Sequence, residues 1–279
     1  MKKLIISTLS IMTILIFTTA CSSSEGAKIE DIYQKSSEAS KKLDNFLLKM
    51  ESTHTLEMDD SQSSQADSPA LPLGEPITSK IESKVQTEPM AYHQKVETMG
   101  QVMKQYYTPD GLYMTLPTKN GWYKAPKEVA EQLNAIDAEK QTPVSQLDSL
   151  KEFIDEFDLE EKDNYYILSL RSEGEKVKNL VDQAMKESLT GGQIPENLMD
   201  GVDFKKLSYS FSIDKETYYP HKMKVDMTFT IDQNGEKVTM NQTIDGNYSQ
   251  FNEIGEISIP EDVKQKAKEI ENIESLFQQ

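Results

Sequence analysis

The feature that most constrains this chain is an alternation of apolar and polar residues that recurs in several short stretches. In residues 207–213 apolar residues alternate with serines, and in residues 222–231 they alternate with Lys, Asp and Thr. Successive side chains of a strand point to opposite faces of a sheet, so each stretch predicts a strand with one apolar and one polar face. A further strand is predicted over residues 164–171. The chain must therefore build a sheet with an apolar side to cover.

Turn sequences join these stretches into meanders. Alternating segments also occur between residues 77 and 123, where Asp110-Gly111 and Asn120-Gly121 lie between them. Asn234-Gly235 follows the strand that ends near residue 231. Asp-Gly and Asn-Gly between alternating segments favour two-residue hairpin turns. We therefore predict two antiparallel meanders, the second continuing to about Pro260.

Helical periodicity occupies three other regions. Apolar residues recur at helical spacing over residues 27–51, within residues 126–157, and over residues 175–189, which Gly191-Gly192 terminates. A last short helix is predicted from Glu261. Strand runs separated from helical runs predict an α+β fold, with one large antiparallel sheet and the helices over one face.

Polar segments interrupt this pattern at two places. Residues 59–76 are rich in Ser, Gln, Asp and Pro and predict a mobile loop. The acidic pairs Asp155-Glu156 and Glu160-Glu161 are interpreted as a solvated helix end. Because the two meanders can form the two halves of one large sheet, we expect a single domain over residues 27–279.

The N-terminus has the layout of an export signal. Lys2 and Lys3 precede a mostly apolar run over residues 4–17, and three small residues lead to Cys21, the only cysteine. Charged, apolar and small-residue regions in this order are typical of a secretory signal. The run is too short for an uncleaved transmembrane helix, which needs about 20 apolar residues. A plain secretory signal would leave one unpaired thiol, which is unusual in an exported protein.

The cysteine just after the small residues resembles the lipobox of bacterial lipoproteins, although Thr18 stands where such motifs favour leucine. The resemblance implies cleavage before Cys21 and lipidation of Cys21, with residues 1–20 as signal peptide and residues 21–26 as a lipidated tether. Two acyl chains give stable anchoring. We therefore expect a lipid-anchored protein on the extracytoplasmic face of the cell membrane, with a Gram-positive surface favoured.

The composition limits the classes of molecule that this protein is expected to bind. The formal net charge is −17, and removal of Lys2 and Lys3 with the signal would make the mature chain more acidic still. Nucleic-acid binding depends on Lys and Arg that neutralise phosphates, so no nucleic-acid partner is expected. Membrane contact is expected through the lipid on Cys21, and a membrane-protein partner is a further possibility.

The order of elements resembles the LolA/LppX-like lipoprotein superfamily and, more closely, a Gram-positive lipoprotein family of unknown function of the DUF6612 type. Four segments carry the resemblance: Ile32-Tyr33 with Leu43, residues 120–124 (NGWYK), residues 214–223 (DKETYYPHKM) and residues 257–261 (ISIPE). The superfamily implies one curved antiparallel sheet, a LolA-like half-barrel, with helices covering the concave face and a hydrophobic cavity between them.

Eight large residues of the predicted strands are candidates for lining such a cavity. Flexible, polarisable methionine suits irregular apolar ligands. The default interpretation is that these residues fill the core, and cavity lining is the alternative. The candidates are Met103, Tyr107, Met114, Phe211, Met223, Met227, Phe229 and Met240.

The sequence offers little catalytic chemistry. His54, His93 and His221 lack metal-ligand spacing and are interpreted as exposed strand positions. We expect no enzyme activity, no metal and no cofactor. The leading hypothesis is a lipoprotein that binds or carries a hydrophobic ligand such as a lipid acyl chain. The alternative is a non-enzymatic cell-surface interaction or sensor module with a filled core.

Overall fold

A computed structural model describes residues 22–58, 74–134, 142–145, 151–188, 201–233 and 236–270. Cys21 with the expected signal peptide, most of the expected loop 59–76, Gly191-Gly192 and Asn234-Gly235 lie outside these residues. The helices are α1 Ser22–Ser40, α2 Lys127–Asn134, the 3-10 helix Lys151–Glu156, α3 Glu175–Ser188 and α4 Glu261–Lys266. The strands are β1 Asn45–Met58, β2 Ile77–Gln86, β3 Ala91–Thr98, β4 Gln101–Thr108, β5 Gly111–Leu116, β6 Lys119–Lys124, β7 Asp158–Lys162, β8 Tyr165–Glu173, β9 Val202–Asp214, β10 Pro220–Gln233, β11 Glu236–Ser249 and β12 Lys268–Glu269.

All twelve strands belong to one open, curved sheet in the order β12-β6-β5-β4-β3-β2-β1-β11-β10-β9-β8-β7. The two predicted meanders are its two halves, and β1 joins them at the centre. The expectation of a wholly antiparallel sheet is wrong at one edge, because β12 pairs with β6 in parallel. The sheet is therefore mixed, although every other neighbouring pair is antiparallel.

The predicted helix over residues 27–51 is correct only in its first half. Helix α1 ends at Ser40, and β1 begins at Asn45. Phe46, Leu47 and Met50 fit a helical spacing, but β1 pairs along its length with β2 on one side and β11 on the other. Two full ladders of hydrogen bonds outweigh a weak local preference. The side-chain oxygen Oδ1 of Asn252 accepts the Asp44 N–H at 2.7 Å and so stabilises the entry into β1.

Helix α1 also begins inside the segment expected to be a tether, since residues 22–26 are helical. The interpretation of Glu160 and Glu161 as a helix end is wrong, because both lie in strand β7. Asp155 and Glu156 close the preceding 3-10 helix and are exposed, as expected. The predicted helices α2, α3 and α4 are confirmed within the described residues.

The largest core cluster lies between the helices and one face of the sheet. Ile29 and Ile32 of α1 and Leu180 of α3 pack with the strand residues Leu168 and Phe211, and each is at most 2 % exposed. Burying a side chain of this size contributes about 1.5–3 kcal/mol. The helices are thus held to the sheet by apolar contact.

A second and a third cluster lie at the β4–β6 end. Helix α2 packs Val129 on the second cluster, which is on the same sheet face and centres on Tyr107 and Leu112. The third cluster lies on the opposite face, where Val263 of α4 packs with Tyr113. Helices therefore cover both faces, and the expectation that they all lie on one face is wrong for α4.

Candidate ligand-binding surface

All eight predicted lining residues lie on one face of the sheet, the face that carries α1 and α3. In β9–β11, the register places Met223 opposite Phe211 and Phe229 opposite Met240. In the other half, Met103 is opposite Val96 in the sheet register. The series of directly opposite residues continues across β2 to Met50 of β1, whose side chain lies on the same face as Phe46. Period-two alternation therefore assigned the face correctly.

The eight residues nevertheless divide into two groups. Tyr107 and Phe211 are 0 % exposed, Met223 is 2 % exposed and Met114 is 7 % exposed, and all four belong to core clusters. These four fill the interior. The other four, which are Met103, Met227, Phe229 and Met240, are half-buried.

The half-buried four belong to a larger apolar patch over the central strands β1–β4, β10 and β11. We call it the central apolar surface. Some members pack against the main core, and others extend beyond every cluster of the described residues. Methionine supplies four of its side chains, which gives the surface a deformable lining. Its half-buried members are Met50, Ile77, Ile81, Val96, Met103, Met227, Phe229, Met240 and Ile244.

A small polar group lies within this surface. His54 of β1 is half-buried and is opposite Gln242 of β11 in the sheet register. The ring nitrogen Nε2 of His54 lies 3.1 Å from Oγ of Ser52, which is 8 % exposed. An apolar site with few, fixed polar groups is typical of a binding site for a small molecule.

Sequence reasoning missed this group. It interpreted His54 as an exposed strand position, whereas the structure places the side chain half-buried on the apolar face. Met50, Ser52 and His54 share one face because they alternate with Lys49, Glu51 and Thr53. This alternation was not recognised because a helix was predicted up to Glu51. Without an assigned strand, the face on which His54 lies could not be predicted. By contrast, His221 is exposed, as expected, and stacks against Tyr165 at 5.1 Å between ring centroids.

Buried hydroxyls also lie on the helix-covered side. Oη of Tyr209 and Oγ of Ser172, both on the core face, have no hydrogen-bond partner in the part of the chain that the structure describes. Burial, with the nearby Tyr248 adding to it, raises the pKa of Tyr209 well above its usual value. Tyr209 therefore stays neutral at every physiological pH. An unpaired buried hydroxyl costs about 1–3 kcal/mol.

The opposite face of the central strands is charged. Lys49 lies 3.5 Å from Glu82 across strands, and Lys222 lies 2.8 Å from Asp245. A shallow depression of about 520 Å³ is lined by Lys49, Glu82 and Asp245, among other residues. Exposed pairs of this kind contribute little to stability, about 0–1 kcal/mol each. They do make the two faces chemically distinct.

Aromatic side chains lie further along the charged face. His93 stacks on Tyr106 with ring centroids 4.3 Å apart, and Trp122 lies 5.5 Å from Tyr106. Burial, with Lys84 and Lys104 adding to it, lowers the pKa of His93. Trp122 packs against the third core cluster, which contains Val263 of α4.

The described residues also bear on metal binding and on membrane spanning. In these residues no three His, Cys, Asp or Glu side chains are grouped so as to hold a metal ion. Among the helices of the same residues, none combines the length and apolarity needed to span a bilayer.

The fold and the surface define an α+β protein built on one open, curved, mixed sheet with an exposed apolar region on its helix-bearing face. The chain belongs to the family described as a family of unknown function, DUF6612, which it matches over residues 28–268. The match takes in helix α1 from residue 28 onward, every described strand up to the first residue of β12, and the whole central apolar surface. No curated protein matches the chain.

Proposed function

We propose that this protein is a lipid-anchored extracytoplasmic lipoprotein that binds a hydrophobic ligand, such as a lipid acyl chain, on its central apolar surface. The sheet and helices would form a LolA-like half-barrel around that ligand. Cys21 would carry the lipid anchor, and α1, which begins one residue later, would link the anchor directly to the sheet.

The observation that carries the proposal is the half-buried state of the central apolar surface. Monomeric proteins rarely expose large contiguous apolar patches, and those that persist mark binding sites. Here the patch occupies the middle of the sheet, where a core would normally be fully covered. Contact with an acyl chain would remove that area from water at about 25 cal/mol per Å².

The chemistry of the patch agrees with a flexible apolar ligand. Met103, Met227 and Met240 have unbranched side chains that adapt to chains of different shape. The charged opposite face, with pairs such as Lys49–Glu82, favours water and would keep the protein soluble at the membrane surface.

The second candidate function is a cell-surface interaction or sensor module without a ligand. Tyr107, Met114, Phe211 and Met223, half of the predicted lining residues, are filled core, which is the observation that favours it. In that case the central apolar surface would contact a membrane protein instead of a lipid.

Native mass spectrometry of residues 22–279, purified gently and without detergent, tests the proposal. This segment contains all the residues that the structure describes. A bound species in the mass range of a lipid, recovered by organic extraction of the same sample, is the expected result. An apo mass with no uptake after incubation with membrane lipids would refute ligand binding and favour the interaction module.

A matched pair of variants locates the site. Met240→Asp places a charge on the central apolar surface and should abolish lipid uptake. Thr239→Asp places the same charge on the neighbouring residue, whose side chain lies on the opposite face, and should leave uptake unchanged. Equal uptake by both variants would exclude this surface as the site.

A further inference from the structure

We propose that the ligand is an amphiphile whose polar group is a hydrogen-bond acceptor, a carboxylate or an ester, and that His54 and Gln242 bind this group. The inference rests on the proposed function and specifies the class of ligand. Its basis is the polar group in the middle of the central apolar surface.

His54 and Gln242 are paired by the register of two fully hydrogen-bonded strands, so their positions relative to each other are fixed by the backbone. Directly opposite residues have Cβ atoms about 4.5–5.5 Å apart. Both side chains are half-buried. One small polar group of a ligand can therefore contact both of them at once.

Ser52 orients the His54 ring. Its hydroxyl lies 3.1 Å from Nε2, a distance at which either atom can donate. We infer the arrangement in which the Ser52 hydroxyl donates to Nε2, which places the ring proton on Nδ1. The Nδ1–H then has no acceptor among the described residues, and the same holds for the side-chain N–H₂ of Gln242. Two N–H donors next to each other suit an oxygen with two lone pairs.

The surroundings make these donors selective. Register neighbours of the pair on the same face are Ile77, opposite His54, and Met227, opposite Gln242. In an apolar environment a hydrogen bond is stronger, and a donor that a bound ligand covers without pairing is costly. A ligand that covers the pair with a hydrocarbon chain alone would therefore bind less well than one that places an acceptor there.

Three probes with the same twelve-carbon chain test this inference: dodecanoate, methyl dodecanoate and dodecyltrimethylammonium. The first two carry an acceptor, and the third has none. The net charge, which is −17 for the full chain and more negative without Lys2 and Lys3, favours the cation for nonspecific reasons, so a preference for the acceptors cannot arise from bulk charge. Titration calorimetry with the Cys21→Ser chain from residue 21 onward gives the affinities, with the two ionic probes kept below their micelle concentrations and the ester below its solubility limit.

We expect both acceptor probes to bind more tightly than the cation. His54→Leu and Gln242→Leu should each weaken the acceptor probes about tenfold and leave the cation unchanged. His93→Leu removes a half-buried histidine from the opposite face and should change none of the three affinities. Thermal unfolding of each variant checks that it folds.

Three outcomes would overturn the inference. Equal binding of all three probes, or Leu variants that weaken the cation as much as the acceptors, would refute the acceptor site while leaving apolar ligand binding intact. A loss of acceptor binding in His93→Leu as large as in His54→Leu would place the effect elsewhere. If no probe binds the wild-type chain, the proposed function fails together with the inference.

Discussion

Asp232 and Gly201 touch through their backbones at the end of the sheet where β9 begins. The Asp232 N–H donates to the Gly201 carbonyl oxygen at 2.8 Å. A Cβ atom built on Gly201 would lie 2.7 Å from the Asp232 carbonyl oxygen, and the residue has a φ of +78°. Both the close approach and the left-handed backbone require glycine at this position.

Gly201→Ala should therefore destabilise the domain by more than the cost of the backbone conformation alone. That cost is about 1–2 kcal/mol for a residue with a side chain in the left-handed region. Gly100→Ala is the matched control, since its φ is +75° and no atom lies within 4 Å of its Cβ position. Urea unfolding should show a larger loss for Gly201→Ala than for Gly100→Ala. Equal losses would mean that the contact with Asp232 relaxes without cost.

Core and surface positions on the same face should differ sharply in their effect on stability. Phe211 is 0 % exposed, and Phe211→Ala should cost about 3–5 kcal/mol of unfolding free energy. Met240 is half-buried in the central apolar surface, and Met240→Ala should cost about 1 kcal/mol. Chemical denaturation of the ligand-free protein measures both. A cost above about 3 kcal/mol for Met240→Ala would show that this residue is core.

Asp214 should make the stability of the folded domain depend on pH in the acid range. Partial burial opposes its ionisation, but hydrogen bonds from Thr217 and Glu216 outweigh burial, so that the pKa of Asp214 is lowered. Its Oδ1 accepts the Thr217 N–H at 2.8 Å and the Glu216 N–H at 3.0 Å. A lowered pKa means that the carboxylate stabilises the folded state above the unfolded pKa of about 3.9 and loses this effect as pH falls through the folded pKa.

Asp214→Asn keeps an oxygen acceptor and removes the charge. It should reduce the unfolding free energy by about 1 kcal/mol at pH 7, and the difference from wild type should shrink below about pH 4. Thermal unfolding of both proteins from pH 7 to pH 3 measures the difference. A difference that grows on acidification would contradict the lowered pKa.

Tyr209→Phe should raise stability, because it removes a buried hydroxyl that has no partner among the described residues. The expected gain is about 1 kcal/mol. Tyr123→Phe is the control, since the Tyr123 hydroxyl donates to the Asn120 carbonyl oxygen at 3.4 Å and its removal should bring no gain. Urea unfolding compares the two. A clear loss in Tyr209→Phe would show that the hydroxyl is hydrogen-bonded in solution.

The sequence allowed most of the sheet to be predicted, because alternation and turn dipeptides are local signals. Strands β9 and β10 and the face of every lining residue follow from period-two patterns within each strand. The central strand β1 could not be found in this way. Its first half repeats apolar residues at spacings that also fit a helix, and only pairing with β2 and β11, distant in sequence, decides between the two.

The candidate site was predictable by face but not by burial. Phe211 and Phe229 both occupy apolar positions of alternating strands, yet the first is fully buried and the second half-buried. The difference depends on which part of the sheet α1 and α3 cover, and that is a tertiary property. The pairing of His54 with Gln242 could not be predicted from the sequence for a similar reason, since these residues meet only through the register of β1 and β11.

The two outer strands of the sheet are each protected in a different way against pairing with another copy. At one edge the two-residue strand β12 occupies the hydrogen-bonding groups of β6 at Tyr123 and Lys124. At the other edge β7 has only five residues and carries Asp158, Glu160 and Glu161. Short or covered edges and edge charges prevent sheets from joining end to end. Copies at high local concentration therefore lie side by side without polymerising into a continuous sheet.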